Sequence, residues 1–176
     1  MNTRDHQPPL DTALFRRVMG QFATGVTVIS AEIDGAIRGM TANAFMSGSL
    51  RPPLCVISVA KPARMHETLL KARHFGVSML AEDQQAVCQH FAGGISEQEP
   101  DHYFERLADV PVLAGSSAAI AAEIAARHDC GDHTLFIGHI LEMRDEGRAP
   151  LVYHGGKYAS LVYPEKPAPY PVIDFW

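Results

Sequence analysis

The amino-acid sequence predicts a mainly β, α+β domain in which antiparallel strands form a barrel-like sheet with a few flanking helices. Short runs of apolar and β-branched residues recur along the chain, with Gly- and Pro-containing turns between them. An Asp34-Gly35 pair lies between two such runs, and this pair is a strong signal for a β-hairpin. The helical segments are few and do not alternate regularly with the strands, which disfavours a doubly wound parallel sheet.

A single domain is expected over residues 1–176, because a chain of this length can bury one full hydrophobic core. The core of that domain is predicted at about 12–162. The C-terminal segment, 163–176, carries four prolines and is predicted to be an extended arm. The chain contains no internal repeat and no low-complexity linker that would divide it further.

The N-terminal third predicts a helix, a hairpin and a buried strand. Asp11 is a suitable N-cap for a helix whose apolar residues recur at helical spacing, at Leu14, Phe15, Val18, Met19 and Phe22. Gly20 and the stretch 23–25 end this helix, and the hairpin around Asp34-Gly35 follows. We expect Pro52-Pro53 to stop strand pairing before an apolar strand at 54–60.

The middle of the chain predicts a helix, a strand, a second helix and a long connection, at 64–73, 74–80, 82–92 and 93–117. In the second helix four residues share one face, namely Ala86, Val87, His90 and Phe91. The long connection carries one local aromatic cluster, Tyr103 and Phe104.

The segment 118–129 is ambiguous. Its many alanines favour a helix, yet it leads through a turn into 134–143, which has the pattern of a strand. Both assignments stay open at this point. A further short strand is predicted within 150–161.

Composition excludes several classes of function. The net charge is −5, the sequence pI is about 6.0 and no run of Lys or Arg occurs, which disfavours nucleic-acid and anionic-membrane binding. No apolar stretch is long enough to span a bilayer, and the N-terminus has no hydrophobic signal core, so the cytoplasm is the expected compartment. Three scattered cysteines argue against a disulfide framework, and two of them lie in apolar settings typical of inert core thiols.

Common catalytic motifs are absent from the sequence. It contains no dinucleotide-binding G-x-G-x-x-G, no phosphate-binding G-x-x-x-x-G-K-[ST] and no serine-hydrolase G-x-S-x-G. One cluster, His128, Cys130 and His133 with Asp129 and Asp132 between them, has residue types that bind zinc. Its spacing matches no closed structural zinc site, and a polar turn between strands is the favoured interpretation.

Six segments in order carry a resemblance to a known family: "QFATGVTVIS", "GMTANAFMSGSLRPPLCVISV", "FGVSMLAEDQ", "HFAG", "GDHTLFIGHI" and "PLVYHGGKYASL". Over about residues 12–162 the chain resembles the flavin reductase family of two-component, flavin-dependent monooxygenases, which have a split-barrel, flavin-binding fold. The resemblance implies a homodimer that uses NADH or NADPH to reduce FAD or FMN. It also implies that reduced flavin diffuses to a separate oxygenase, which hydroxylates an aromatic or phenolic compound.

The resemblance implies no residue acting as a catalytic acid or base, because the cofactors carry the chemistry. It assigns the flavin ring to Thr41, Ala42, Asn43 and Ala44 and to the hydroxyls of Ser47 and Ser49. Small side chains there let backbone N–H groups approach the polar edge of the ring and stabilise the charge that arrives on reduction.

The phosphate of the flavin is assigned by the same resemblance to Lys61 and Arg64, at the start of the helix after the 54–60 strand. Here the sequence departs from the family pattern, because Pro62 replaces a residue that is usually Ser and Met65 replaces a common Thr. Proline has neither an N–H nor a hydroxyl to donate, so phosphate binding depends more on Lys61, Arg64 and the remaining amides.

Phe91 and Ala92 match the family segment that approaches the flavin tail, and His133 and Tyr158 match residues near the nicotinamide. Asp132 is expected to brace the turn beside His133. Two alternatives stay open, a flavin- or haem-binding split-barrel protein without reductase turnover and a zinc hydrolase built on the 128–133 cluster. The sequence does not decide between FAD and FMN, or between NADH and NADPH.

Overall fold

The structure is a computed structural model that describes residues 10–93 and 100–162. The described residues form three helices, α1 (Thr12–Met19), α2 (Arg64–Lys71) and α3 (Gln85–Phe91), and a turn of 3-10 helix at Pro100–Tyr103. Their strands are β1 (Thr24–Gly25), β2 (Thr27–Ile33), β3 (Ala36–Ala42), β4 (Phe45–Leu50), β5 (Pro53–Ala60), β6 (His74–Met79), β7 (Phe104–Leu107), β8 (Val110–Leu113), β9 (Ala118–Cys130), β10 (His133–Asp145), β11 (Val152–His154) and β12 (Lys157–Ala159). The predicted arm at 163–176 lies outside the described residues.

A seven-stranded antiparallel sheet dominates the fold, in the order β3-β2-β6-β9-β10-β5-β4. Strands β3 and β4 lie at opposite edges of this sheet, yet only Asn43 and Ala44 separate them in the chain. Two residues cannot span a flat sheet of seven strands, so the sheet must curl until its edges meet. The result is a barrel that is split along one seam between β3 and β4, which confirms the predicted fold class.

The curvature of the sheet comes from irregular pairing between β9 and β10. Strands β9 and β10 are each 13 residues long, and their register shifts between Ile137 and Gly138 and again between Ile140 and Glu142. Such bulges bend a strand and increase its twist. Inside the barrel Gly138 lies under the fully buried ring of Phe75, where an added Cβ would come within 2.5 Å of a ring carbon.

The ambiguous alanine-rich segment is strand β9. It pairs with β6 on one side and with β10 on the other, in the middle of the sheet. Ala122 faces the barrel core, while Ala119 and Ala121 pack against the β7–β8 hairpin. Both faces are therefore covered at close range, and packing and pairing override the helical propensity of alanine.

Two sequence-based expectations about connections are wrong. Pairing does not stop at Pro52-Pro53, because β4 pairs with β5 as far as Leu50 opposite Pro53, and the Arg51–Pro52 peptide in the turn is cis. The connection at 93–117 contains the β7–β8 hairpin, whose turn residues Ala108 and Asp109 have φ values of 45° and 62°. An alanine in the left-handed region is uncommon, so Asp109 alone is a weak turn signal for this hairpin in the sequence.

Other local predictions are confirmed. The Asp11 carboxylate caps α1 by accepting from the N–H groups of Ala13 and Leu14 at 2.8 and 3.2 Å. Asp34 and Gly35 form the β2–β3 turn with φ values of 51° and 76°. The short strand predicted within 150–161 is a hairpin of β11 and β12, which β1 extends to three strands. No helix in the described part of the chain is long and apolar enough to cross a membrane.

Candidate functional site

A small pocket lies where β3 ends at the seam of the barrel. Its volume is about 240 Å³, and the predicted site residues that line it are Thr41, Ala42, Asn43, Ala92 and Tyr158. These residues come from β3, from the end of α3 and from β12, so the fold brings together segments that are far apart in the sequence. Val26, Cys88 and Tyr153 complete the wall.

Hydrogen bonds hold the walls of the small pocket in place. The Thr41 hydroxyl donates to the Cys88 carbonyl at 2.7 Å, and the Cys88 sulfur lies 3.2 Å from the Tyr158 hydroxyl. This contact with Cys88, together with burial, raises the pKa of Tyr158 to about 12. The phenol is therefore neutral at physiological pH and able to donate or accept a hydrogen bond.

A larger cleft, the main cleft, continues from the small pocket along β3. Its volume is about 630 Å³, and Ala92 lines both cavities. Residues 37–40 of β3, the start of α2 and the end of α3 form its walls, which include the predicted residues Arg64 and Phe91. Phe91 is also a packing residue, because a Cβ on Gly39 would lie 2.5 Å from its ring. Gly39 thus allows α3 to approach β3 closely.

Positive charge and open amides face the main cleft. Arg38 and Arg64 both line it and both are exposed. Helix α2 begins at Arg64, and its N-cap residue Ala63 makes no side-chain capping bond. The N–H groups of Arg64 and Met65 are thus available to an anionic group, whereas the N–H of His66 donates to the Ala63 carbonyl at 2.9 Å. Arg38 is not among the residues predicted from the sequence, because a lone arginine in a strand belongs to no motif.

The remaining predicted flavin residues lie on the other edge of the seam. The Ala44 carbonyl accepts from Ser58 at 3.0 Å, which ties the β3–β4 corner to β5. Ser47 is exposed on β4, and the Ser49 hydroxyl accepts from the Arg51 N–H at 3.2 Å. Ala44, Ser47 and Ser49 belong to neither the small pocket nor the main cleft.

Lys61 and His133 lie together at the β9–β10 turn. His133 pairs with Ala60 of β5, and its Nδ1 is 2.7 Å from the Asp132 carboxylate. This hydrogen bond is the main cause that lowers the pKa of Asp132. The backbone N–H of Lys61 donates to the Asp132 carbonyl at 2.9 Å, and the Lys61 ammonium lies 3.5 Å from the Asp129 carboxylate. The contact with Asp132 agrees with the bracing role expected for it.

His133 and Tyr158 therefore do not share a cavity. Tyr158 lies on the β3 side of the seam with α3, whereas His133 lies beyond β5 on the β4 side. Within one chain, any ligand that contacted both residues would have to lie across the seam.

The sequence model of the flavin reductase like domain matches residues 19–162, most of the chain. The chain belongs to this family. The flavin reductase PheA2, solved in its native state, is 42% identical with a TM-score of 0.83, over 88% of this chain and all of that one. The NADH:FAD oxidoreductase SgcE6 of Streptomyces globisporus, solved with NAD and FAD fragments, is 34% identical with a TM-score of 0.83, over 90% and 98% of the two chains. The reductase component of 4-hydroxyphenylacetate 3-monooxygenase from Thermus thermophilus is 38% identical over 85% of this chain and 97% of its own length.

Membership of the flavin reductase family fits the chemistry of the groove. A flavin has a flat ring and a phosphate-bearing tail, and the small pocket and the cationic main cleft form one continuous path along β3. The donor set suits both parts, with small side chains and backbone at one end and arginines with helix amides at the other.

The cysteine and histidine cluster at 128–133 takes no part in this groove. Among residues 10–93 and 100–162 no group of three or more His, Cys, Asp or Glu side chains is placed to hold a metal ion. Cys130 is exposed, whereas Cys55 and Cys88 are buried, as predicted for core thiols. Although it is buried, Cys88 also lines the small pocket.

Proposed function

We propose that this protein catalyses the NADH-dependent reduction of FAD, with FMN as a second substrate, by hydride transfer from nicotinamide C4 to flavin N5. The observation that carries the proposal is the continuous groove along β3 from the small pocket to Arg38 and Arg64. Hydride transfer requires two flat rings in contact at about 3–3.5 Å, and binding alone provides most of that requirement.

The residues of this chain bind and orient, while flavin supplies the electron-accepting chemistry when bound. Thr41, Ala42 and Asn43 form a thin wall in which backbone amides can face the polar edge of the ring. Arg38, Arg64 and the first amides of α2 hold the phosphate. We assign Ala44, Ser47 and Ser49 to the same ring from the β4 edge of the seam.

The nicotinamide is assigned to the region between the two sides of the seam. Tyr158 presents a neutral hydroxyl from one side and His133, braced by Asp132, presents an imidazole from the other. Lys61 lies beside His133 and provides a positive charge for a phosphate of either cofactor.

Reduced flavin then leaves for a separate oxygenase that hydroxylates an aromatic or phenolic compound. The relative from Thermus thermophilus supports this assignment, since its name is that of the reductase component of a monooxygenase. Transfer by diffusion suits a groove whose ligand residues Arg38, Asn43, Arg64 and Ala92 are all exposed. Because the reaction consumes NADH, we propose the cytoplasm as its compartment.

A homodimer is the assembly that we propose. Exposed apolar side chains lie on two strands of the large sheet that β5 separates, including Met46 and Leu50 on β4 and Leu141 and Met143 on β10. A second copy would remove this surface from water. Sedimentation of the wild type and of Met46→Lys tests the assignment, and a monomeric wild type would contradict it.

The test of the function is NADH oxidation in the presence and absence of added FAD or FMN. The expected result is flavin-dependent loss of NADH with formation of one reduced flavin per NADH in the absence of oxygen. Retention of flavin without any NADH consumption would instead indicate a binding protein and contradict the proposal. Parallel assays with NADPH establish the nucleotide preference.

A further inference from the structure

Helix α1 presents an apolar face that stays largely exposed among residues 10–93 and 100–162. Successive side chains of a helix are about 100° apart, so four residues of α1 form one stripe, namely Leu14, Phe15, Val18 and Met19. Each of the four is between 45% and 59% exposed, and α1 buries none of its residues. A helix of eight residues is marginal in water by itself, because helices in proteins depend on packing of an apolar face. An occupant of this face would therefore stabilise α1.

The size of the face suits a short piece of chain. Helix α1 is about 12 Å long and about 10 Å wide, so its outer half offers on the order of 200 Å². A stable interface between two proteins buries about 800 Å² on each of them. The exposed apolar residues of β4 and β10 belong to the seven-stranded sheet, whereas α1 leads into β1 of the three-stranded sheet. An extended segment of five residues, about 16 Å long, matches the helix in length.

The sequence after the described residues contains such a segment. Four prolines within 163–171 precede "VIDFW" at 172–176, the apolar segment, in which four apolar side chains surround the carboxylate of Asp174. On α1, Arg16 and Arg17 flank the apolar face on its two sides. Neither arginine forms an ion pair with another residue of the described ranges. The face and the apolar segment are thus complementary in both hydrophobicity and charge.

The route of the chain brings the start of this sequence close to α1. The β11–β12 turn contacts the end of the helix, where the Gly155 N–H donates to the Gly20 carbonyl at 2.8 Å. Val162 is seven residues beyond Gly155, so at most about 25 Å separates the two. The apolar segment lies 10–14 residues beyond Val162, a reach of about 31–43 Å in an extended, proline-rich chain. This reach is sufficient for a return to α1 of the same chain.

We propose that the apolar segment docks on the apolar face of α1 in the same chain, with Asp174 near Arg16 and Arg17. The family model matches residues 19–162, so the contact would join the two segments that flank the domain. It would also support the β11–β12 hairpin, which contacts the end of α1 and carries Tyr158 of the small pocket. The proposal is independent of the proposed function, and its test requires neither flavin nor NADH.

The only tryptophan of the sequence, Trp176, reports on docking. Its emission and its quenching by acrylamide are measured in the full, flavin-free chain. Leu14→Asp places a charge in the apolar face, yet an acidic residue in the first turn of a helix preserves the helix itself. We expect the ratio of docked to free segment to fall about tenfold, seen as a red shift of the emission and stronger quenching.

Leu70→Asp on α2 is the matched control. Leu14 and Leu70 are 45% and 49% exposed, and their helices have equal length. The emission and quenching of Leu70→Asp are expected to equal those of the wild type. Equal quenching of the wild type, Leu14→Asp and Leu70→Asp would overturn the proposal, because the apolar segment would then not contact α1.

Charge reversal tests the contact independently of the apolar side chains. Asp174→Arg should lower the ratio of docked to free segment about threefold, because attraction to two guanidinium groups becomes repulsion. Addition of Arg16→Glu and Arg17→Glu to Asp174→Arg should restore the emission and quenching of the wild type. A general loss of folding would not be rescued in this way, and an absence of rescue would contradict the predicted position of Asp174.

Mixed assemblies distinguish docking within a chain from exchange between two copies. One variant carries Leu14→Asp and keeps Trp176, and the other carries Trp176→Phe with an intact α1. The two are refolded together, and the expected result is that the tryptophan stays as exposed as in Leu14→Asp alone. Protection of the tryptophan in the mixture would assign the face to the segment of a second copy and overturn the proposal.

Discussion

The Cys88 sulfur lies 3.2 Å from the hydroxyl of Tyr158, and the Cys88 carbonyl accepts from Thr41 at 2.7 Å. A single residue of α3 thus connects β3 and β12, the two strands that flank the small pocket. The thiol is buried and holds the phenol at the wall of the cavity. Cys88 therefore has a positioning role that goes beyond core packing.

Loss of this contact should affect the use of NADH. Tyr158→Phe keeps the ring and removes the hydroxyl, and we expect kcat/KM for NADH to fall about three- to tenfold, the value of one hydrogen bond. Steady-state kinetics at saturating flavin measures the effect. Cys88→Ala should reproduce part of the loss, while Cys88→Ser should restore activity because it keeps a hydrogen-bonding group. Unchanged kinetics in Tyr158→Phe would remove this residue from the nicotinamide site.

His133→Ala should impair the use of NADH without a comparable effect on flavin binding. We expect the KM for NADH to rise about tenfold, while the dissociation constant for flavin changes less than about twofold, because His133 lies outside the small pocket and the main cleft. His128→Ala is the control, since His128 is exposed near the same end of the β9–β10 pair. A collapse of flavin affinity with normal NADH kinetics would show that the two pockets have been assigned in reverse.

Pro62→Ser should strengthen the phosphate end of the site. The substitution restores a backbone N–H and a hydroxyl just before α2, whose N-cap residue Ala63 provides no capping side chain. We expect FMN and FAD to bind about three- to tenfold more tightly and riboflavin to bind as before. Pro53→Ser, in the β4–β5 pair outside the cavities, serves as the control. Tighter binding of riboflavin as well would indicate a change in the ring pocket and contradict the assignment.

Stability should fall in alkali because of Cys55. Burial raises the pKa of this thiol from 9.0 to about 11. The unfolded chain therefore loses the Cys55 proton near pH 9, whereas the folded chain retains it until about pH 11. The stabilisation is complete below pH 9 and is lost as the pH rises towards 11, by on the order of 2 kcal/mol.

Urea unfolding of the wild type and Cys55→Ala at several pH values measures this effect. Cys55→Ala should be less stable at neutral pH, because it leaves a small cavity, but it should lack the Cys55 part of the alkaline loss. Parallel pH profiles for the two proteins would show that another group causes the decline. Tyr158, whose pKa is raised from 10.0 to about 12, adds a loss of its own that begins near pH 10, so the difference between the two proteins isolates the Cys55 part.

Local signals predicted much of the fold. The Asp11 cap, the Asp34-Gly35 turn and the apolar strand at 54–60 each follow from a few adjacent residues. Whether the β9 segment is a helix or a strand could not be predicted, because its alanines favour a helix. Only the packing of β6, β10 and the β7–β8 hairpin around it stabilises the strand. The Ala108-Asp109 turn could not be recognised, since neither glycine nor asparagine marks it.

The residues of the candidate site were likewise only partly predictable from the sequence. The ring end, Thr41 to Asn43, stands out in the sequence as a run of small residues. The position of Arg38 and the cavity between α2 and the β2–β3 hairpin do not, because they form only when the hairpin and α2 come together in the folded barrel. Likewise, the resemblance assigned His133 and Tyr158 to one ligand, but only the topology shows that a seam lies between them.

The two-residue link between β3 and β4 has a consequence for exchange of the ligand. Among residues 10–93 and 100–162 no strand pairing joins β3 to β4, so the barrel can widen there without breaking its backbone ladders. A flavin that contacts both edges would stabilise the conformation in which β3 and β4 lie close together. Binding and release of flavin at the seam would then require no pair of strands in the sheet to separate.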